Sequence, residues 1–209
     1  MEQKIRLPNS IESRIDSYMQ GRVYSTEIAT TLNSILYDEF SKSNMKPTFS
    51  GEYFIDYQNP DLIRVYCHQG TEACSPIESK RKGVIWRAIK TGQDQYVPDV
   101  TKDTEHIGCD PNMQGSELVL LSWSNPYEEI RFAGHSIPLG VLDIDLNIKD
   151  ALIIKDIERL RKIWNKYGKL VFPGSPIFFP GNNIKIAQYE PGPKEHILNY
   201  SGKQFRSAS

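Results

Sequence analysis

Apolar residues recur first at helical spacing and then at alternate positions, and this change of period divides the chain into predicted elements. Within residues 10 to 44, Ile11 and Ile15 stand four apart, and Ile28, Leu32, Ile35, Leu36 and Phe40 follow the 3.6-residue period. Gly21 predicts a break between two helices. Past Pro47 the period falls to two, placing Phe49, Gly51, Tyr53 and Ile55 on one face of a strand, and Asn59-Pro60 supplies a turn. A second strand, Leu62 to His68, puts Ile63, Val65 and Cys67 on a common face, with Cys67 read as a core residue. A short helix follows near Gly83 to Lys90, with Gly92 where a C-terminus favours left-handed geometry. Tyr96 to Val100 reads as extended and Thr101 to Gly115 as a polar loop. Leu118 to Leu121 suits a buried strand.

Asn125 to Gly134 reads as an exposed hairpin loop, and Ile137 to Leu146 as the next strand. Ile153, Ile157, Leu160 and Trp164 then line one face of a helix whose other positions are largely charged. Beyond Tyr167 the chain turns rich in Pro and Gly, with a short strand predicted at Ile184 to Tyr189. The chain thus divides into a domain over 1–170, including the N-terminal helical segment, and a C-terminal Pro/Gly-rich extension over 171–209. Strands flanked by helices favour an α+β layer with one sheet.

Composition narrows the function classes. A net charge of −1 argues against general binding to phosphate backbones, which needs concentrated lysine and arginine, so no nucleic-acid partner is expected. Lys80, Arg81 and Lys82 read as a solvated turn. Three cysteines, an odd number, do not form a secreted-type disulfide framework. The N-terminus lacks the apolar run of a signal peptide. No stretch reaches the roughly 18 apolar residues of a membrane span. A cytoplasmic protein with its cysteines as thiols and no membrane partner is expected.

The candidate chemistry gathers in three places. Alternation in the strand around Leu139 to Leu146 puts Leu139, Val141, Asp143 and Asp145 on one face, and Gly140, Leu142, Ile144 and Leu146 on the other. Two carboxylates in so apolar a strand are costly unless solvated, paired or binding something. One reading is a wet face. The other is a pocket in which burial and mutual repulsion raise their pKa values. In the loop His106-Ile-Gly-Cys109-Asp110, Gly108 frees the backbone, and a cysteine in polar surroundings is a candidate thiolate nucleophile. Glu117 is either a third acid at the same site or a strand-edge surface residue, and Cys74 a candidate resolving thiol.

These segments look familiar as a series. Gly140-Val-Leu-Asp-Ile-Asp145, preceded by Ser116-Glu-Leu-Val119 and by His106-Ile-Gly-Cys-Asp110, resembles the GAF family and, within it, the free methionine-(R)-sulfoxide reductases. Those enzymes carry a His-Ile-Ala-Cys-Asp loop, a Ser-Glu-hydrophobic strand and a Gly-Val-Leu-Asp-Ile-Asp strand in that order. The likeness covers roughly residues 25 to 167. It implies a central antiparallel sheet with helices on one face and a loop-covered ligand pocket on the other. It implies Cys109 as the catalytic cysteine and Glu117, Asp143 and Asp145 as acidic pocket residues. Cys74 would match one of two cysteines able to form a disulfide with the catalytic one. Phe49-x-Gly51-x-Tyr53 is similar to the segment lining the substrate's methyl end. Two positions depart from the pattern: Gly83-Val84-Ile85-Trp86 stands where the family has Gly-Val-Cys-Gly, and Phe49 replaces a tryptophan.

Two functions stay open on this reading. One is a thiol-dependent reductase in which Cys109 attacks the sulfoxide, Asp145 or Glu117 is the acid, and Cys74 resolves. Ligand contacts would come from Asp143, Asp145, Glu117, Phe49, Tyr53 and His106, and a thioredoxin-type dithiol would restore the thiols; no other cofactor and no metal is expected. The other is a non-enzymatic ligand-binding or sensor module with a degenerate reductase site. A zinc site from Cys67, Cys74, His106 and Cys109 is a minor alternative, weakened by the lack of a CxxC knuckle. The N-terminal helices offer a route to a homodimer, although packing on the sheet explains their periodicity and is preferred.

Overall fold

The computed structural model describes residues 6–56, 58–123, 138–172, 199–200 and 203–204. The predicted 125–134 loop, the strand at 184–189 and most of the 171–209 extension lie outside them. The helical period of the N-terminus becomes two helices, α1 (Ile11–Met19) and α2 (Ser25–Lys42), with the break at Gly21. α1 buries Ile11, Ile15 and Met19, and α2 buries Ile28, Leu32, Ile35, Leu36 and Phe40 against the sheet.

The strands are β1 (Pro47–Ile55), β2 (Leu62–Gly70), β3 (Ile77–Glu78), β4 (Gln95–Val97), β5 (Ser116–Trp123) and β6 (Pro138–Leu146). They form one antiparallel sheet in the order β3-β2-β1-β6-β5-β4, with β1 and β6 at its centre. Between β3 and β4 lies α3 (Gly83–Thr91), closed by Gly92 at φ +64°, a left-handed position that costs glycine nothing. α4 (Ile154–Val171) follows β6 and buries Ile157, Leu160, Ile163 and Trp164. Asn199–Tyr200 (β7) and Lys203–Gln204 (β8) pair antiparallel as a separate hairpin.

The alternation predicted for β6 divides the core. Leu142, Ile144 and Leu146 point into a large apolar layer shared with α1, α2 and α4. Val141 points the other way, into a second layer made with Phe49, Tyr53, Ile63 and Val119. The expected architecture holds with one addition. α3 packs on the second face too, through Val84, Ile85, Trp86, Ala88 and Ile89.

Cys67 corrects the strict alternation assumed for β2. Glu52 pairs with Cys67 but Tyr53 pairs with Val65, so Tyr66 is an extra residue in a bulge. The bulge turns Cys67 away from Ile63 and Val65 onto the helical face, where it is only partly buried. Lys80, Arg81 and Lys82 are exposed, as expected of a solvated turn.

Candidate functional site

Register places the acids before any side-chain geometry is considered. On β6, Asp145 stands opposite Glu117 of β5 on one side and Phe49 of β1 on the other, giving a row across three strands. In the next row, Asp143 stands between Val119 and Gly51, and Gly51 pairs in turn with His68. Directly paired residues share a face. Glu117, Asp143, Asp145, Phe49 and Gly51 therefore all face the α3 side.

Gly51 is needed there for space. A Cβ at this position would lie 2.6 Å from the Phe49 ring and 2.7 Å from His68 Cβ. Its absence lets Phe49 fold over the strand and stack on His68, with ring centroids 5.5 Å apart. Phe49 also lies 5.9 Å from the Tyr53 ring.

One carboxylate oxygen from each of Glu117, Asp143 and Asp145 lies within 4.8 Å of the others. Glu117 and Asp143 are buried and Asp145 partly so. Oε2 of Glu117 and Oδ1 of Asp143 have no hydrogen-bond partner. Burial is the chief reason all three carboxyls hold their protons more tightly than usual. Glu117 is pushed up further by the charges of Asp143 and Asp145, and Asp143 by that of Asp145. Asp145 rises to about 7, burial first and then the charge of Asp110. The Tyr53 hydroxyl is raised by burial and by the same acids.

The loop between β4 and β5 covers this floor. His106 brings Nε2 to 3.5 Å from Glu117 Oε2, and burial lowers its pKa, favouring the neutral imidazole. Cys109 is disulfide-bonded to Cys74, their Cα atoms 5.6 Å apart. A fork from α3 pins the loop. Arg87 donates to both carboxylate oxygens of Asp103, at 2.6 and 3.2 Å, and to Glu105 at 3.4 Å. The recess opens to solvent and leaves a cavity of only about 40 Å3 in this disulfide-bonded form.

Cys109, Glu117, Asp143, Asp145, Phe49, Tyr53 and His106 all line this one recess, and the disulfide ties Cys74 to its rim. Cys67 lies on the other face of the sheet, 3.8 Å from Thr30 Oγ1, so the zinc set of Cys67, Cys74, His106 and Cys109 is not assembled. Trp86, Ile77 and Arg87 were not singled out as site residues in the sequence. Trp86 and Ile77 form part of the wall, and the Trp86 indole donates to the Ile77 carbonyl at 3.3 Å. α3's apolar stripe signalled burial but not the direction of the wall. Nothing local marks Arg87.

No sequence-family model matches the chain. The free methionine-R-sulfoxide reductase of Saccharomyces cerevisiae is 29% identical over 137 residues, covering 64% of this chain and 70% of its own length. Among solved structures, the reduced form of the Staphylococcus aureus enzyme fRMsr superposes with a TM-score of 0.63 at 25% identity, covering 77% of this chain and 92% of its own. A structure described only as a GAF domain matches equally, with a TM-score of 0.63 and 25% identity over 78% of this chain and 85% of its own. No described helix is long and apolar enough to cross a membrane. The sheet order, the acid-floored recess and these relatives agree, and the chain is a GAF-fold protein close to the free methionine-R-sulfoxide reductases.

Proposed function

We propose that this protein reduces the R-sulfoxide of free methionine with Cys109 as nucleophile. One observation carries the reading: Cys74 and Cys109 are bonded to each other at the rim of a recess floored by Glu117, Asp143 and Asp145. Once the disulfide is reduced, the Cys109 thiolate attacks the sulfoxide sulfur. Asp145 or Glu117, each held protonated toward neutral pH, gives a proton to the oxygen. The oxygen passes to Cys109 as a sulfenic acid, and methionine leaves with its sulfur reduced by two electrons. The Cys74 thiol then condenses with the sulfenic acid, releasing water and re-forming the disulfide. An external dithiol of the thioredoxin type restores both thiols by exchange. Phe49 and Tyr53 offer an apolar wall for the thioether end, and the acids an anionic one for the amino group.

A second reading, a ligand sensor without turnover, draws on Ile85 and Trp86. Both are buried, where the reductase pattern has a cysteine and a glycine. Incubation with free methionine-R-sulfoxide and dithiothreitol separates the two. The reductase reading expects methionine release that Cys109→Ser abolishes. Absence of release, or release unchanged in that variant, leaves the sensor.

A further inference from the structure

The floor of the recess gathers three acids and gives them no cation. Among the described residues, no lysine or arginine lies within ion-pair distance of Glu117, Asp143 or Asp145; Lys82, on the wall, pairs with Glu105 at 3.5 Å. Oε2 of Glu117 and Oδ1 of Asp143 have no hydrogen-bond partner although both residues are more than nine-tenths buried and line the recess. Buried polar groups of native proteins are otherwise almost always bonded, so oxygens left open toward a shared space point to something that enters it.

The spacing suits a metal ion. Oxygens bound to one cation at 2.1–2.4 Å are separated by roughly 3 to 5 Å from cis to trans. The three carboxylate oxygens here fall within 4.8 Å of one another, and His106, although its Nε2 stands 3.5 Å from Glu117 Oε2, lies outside that group. Three carboxylate oxygens completed by water suit a hard cation of the magnesium, manganese or calcium kind. The open mouth leaves positions for water.

We propose that Glu117, Asp143 and Asp145 form a binding site for a hard divalent cation of the Mn2+/Mg2+ class. Where the reductase reading holds, such an ion occupies the oxygens that the substrate's amino group and the proton donor need, and it inhibits the enzyme.

The test uses the whole chain, disulfide-bonded and freed of metal by a chelator, titrated with MnCl2 while paramagnetic resonance reads the free ion. One equivalent should bind per chain. Asp143→Asn and Glu117→Gln should each weaken it by more than the roughly tenfold that outer-sphere partners are worth. Melting temperatures check that the variants are folded. No stoichiometric Mn2+ at millimolar concentration, or equal binding in Asp143→Asn and Glu117→Gln, overturns the site. Methionine release in the presence of chelator tests the reductase reading separately. Release without Mn2+ binding rejects the metal site alone, and binding without release upholds it while rejecting the enzyme.

Discussion

Glu52 and Asp143 sit on neighbouring strands, one position apart in register, and face opposite sides of the sheet. Both are buried, and burial raises the pKa of each, Glu52 to about 8. Their surroundings differ. Glu52 lies under α2, where the Asn33 amide donates to its Oε2 at 2.7 Å and Ser50 donates to the Asn33 carbonyl oxygen at 3.0 Å. That amide pulls the Glu52 pKa back down against burial. Asp143 takes only a backbone hydrogen bond from Ile144 and has a second carboxylate beside it, whose charge adds to the effect of burial. Glu52 also leaves one oxygen, Oε1, without a partner, but no second carboxylate acts on it, whereas the recess joins three. Three acids facing one another across open space hold a charge that only an incoming cation or proton can balance.

The sharpest way to break this comparison is to neutralise one acid on each face. Asp145→Asn should slow methionine release by about 10²–10⁴, the usual worth of a positioned proton donor, with no loss of melting temperature. The wild-type rate should fall as pH rises through about 7, where Asp145 gives up its proton, and this limb should vanish in the variant. Glu52→Gln should leave rate and profile unchanged. A comparable loss of rate from Glu52→Gln would erase the distinction between the faces.

Next in size is stability on the helical face. Removing the amide with Asn33→Ala should cost about 1–3 kcal/mol, because the Glu52 carboxyl loses its donor. Glu52→Gln should act in the opposite sense, increasingly as pH rises above 4.5. Glu52 ionises near 4.5 in the unfolded chain and about 8 in the folded one. Between those values the folded state holds the extra proton. The stability this group contributes is therefore complete below pH 4.5 and lost as pH climbs through 8. Urea titrations at pH 5 and pH 9 should show a decline in the wild type that is about 2–4 kcal/mol smaller in Glu52→Gln. An equal decline in both proteins would mean that the acids of the recess alone set the slope.

The two faces also differ in how far the sequence discloses them. The recess acids are legible because alternation in β6 is strict: Asp143 and Asp145 fall opposite Leu142 and Ile144 with no irregularity between them. Glu117 is legible only as a neighbour of the buried run, since its partner Asp145 is set by cross-strand register. Glu52 carries no such signal. It occupies the polar phase of β1, which in a half-solvated strand is the wet side. α2 covers that phase, and the donors that make burial tolerable come from residue 33. Cys67 was misplaced for a related reason, since the extra residue Tyr66 is a pairing event between strands that no pattern within β2 signals. Contacts within one strand can be read from spacing, whereas those assembled between elements cannot.

The smallest effect concerns the loop above the recess. Arg87 grips Asp103 with both guanidinium arms and reaches Glu105, six and four residues before Cys109. A planar fork matched to a carboxylate is not reproduced by a lysine, so Arg87→Lys should behave more like Arg87→Ala than like the wild type. Arg87 touches no reacting atom in this arrangement and acts through the placement of Cys109, which makes it a positioning residue. The direct readout is the ease with which Cys74 and Cys109 pair, measured as the equilibrium of the disulfide against glutathione. Loosening the loop lowers the effective concentration of one thiol at the other, and a three- to tenfold shift toward the dithiol is expected, on the order of what linker slack produces. Glu52→Gln, which perturbs the other face, should leave that equilibrium where it is. If it shifts the equilibrium as far as Arg87→Ala does, the pairing reports global stability rather than loop placement, and Arg87 loses its special standing.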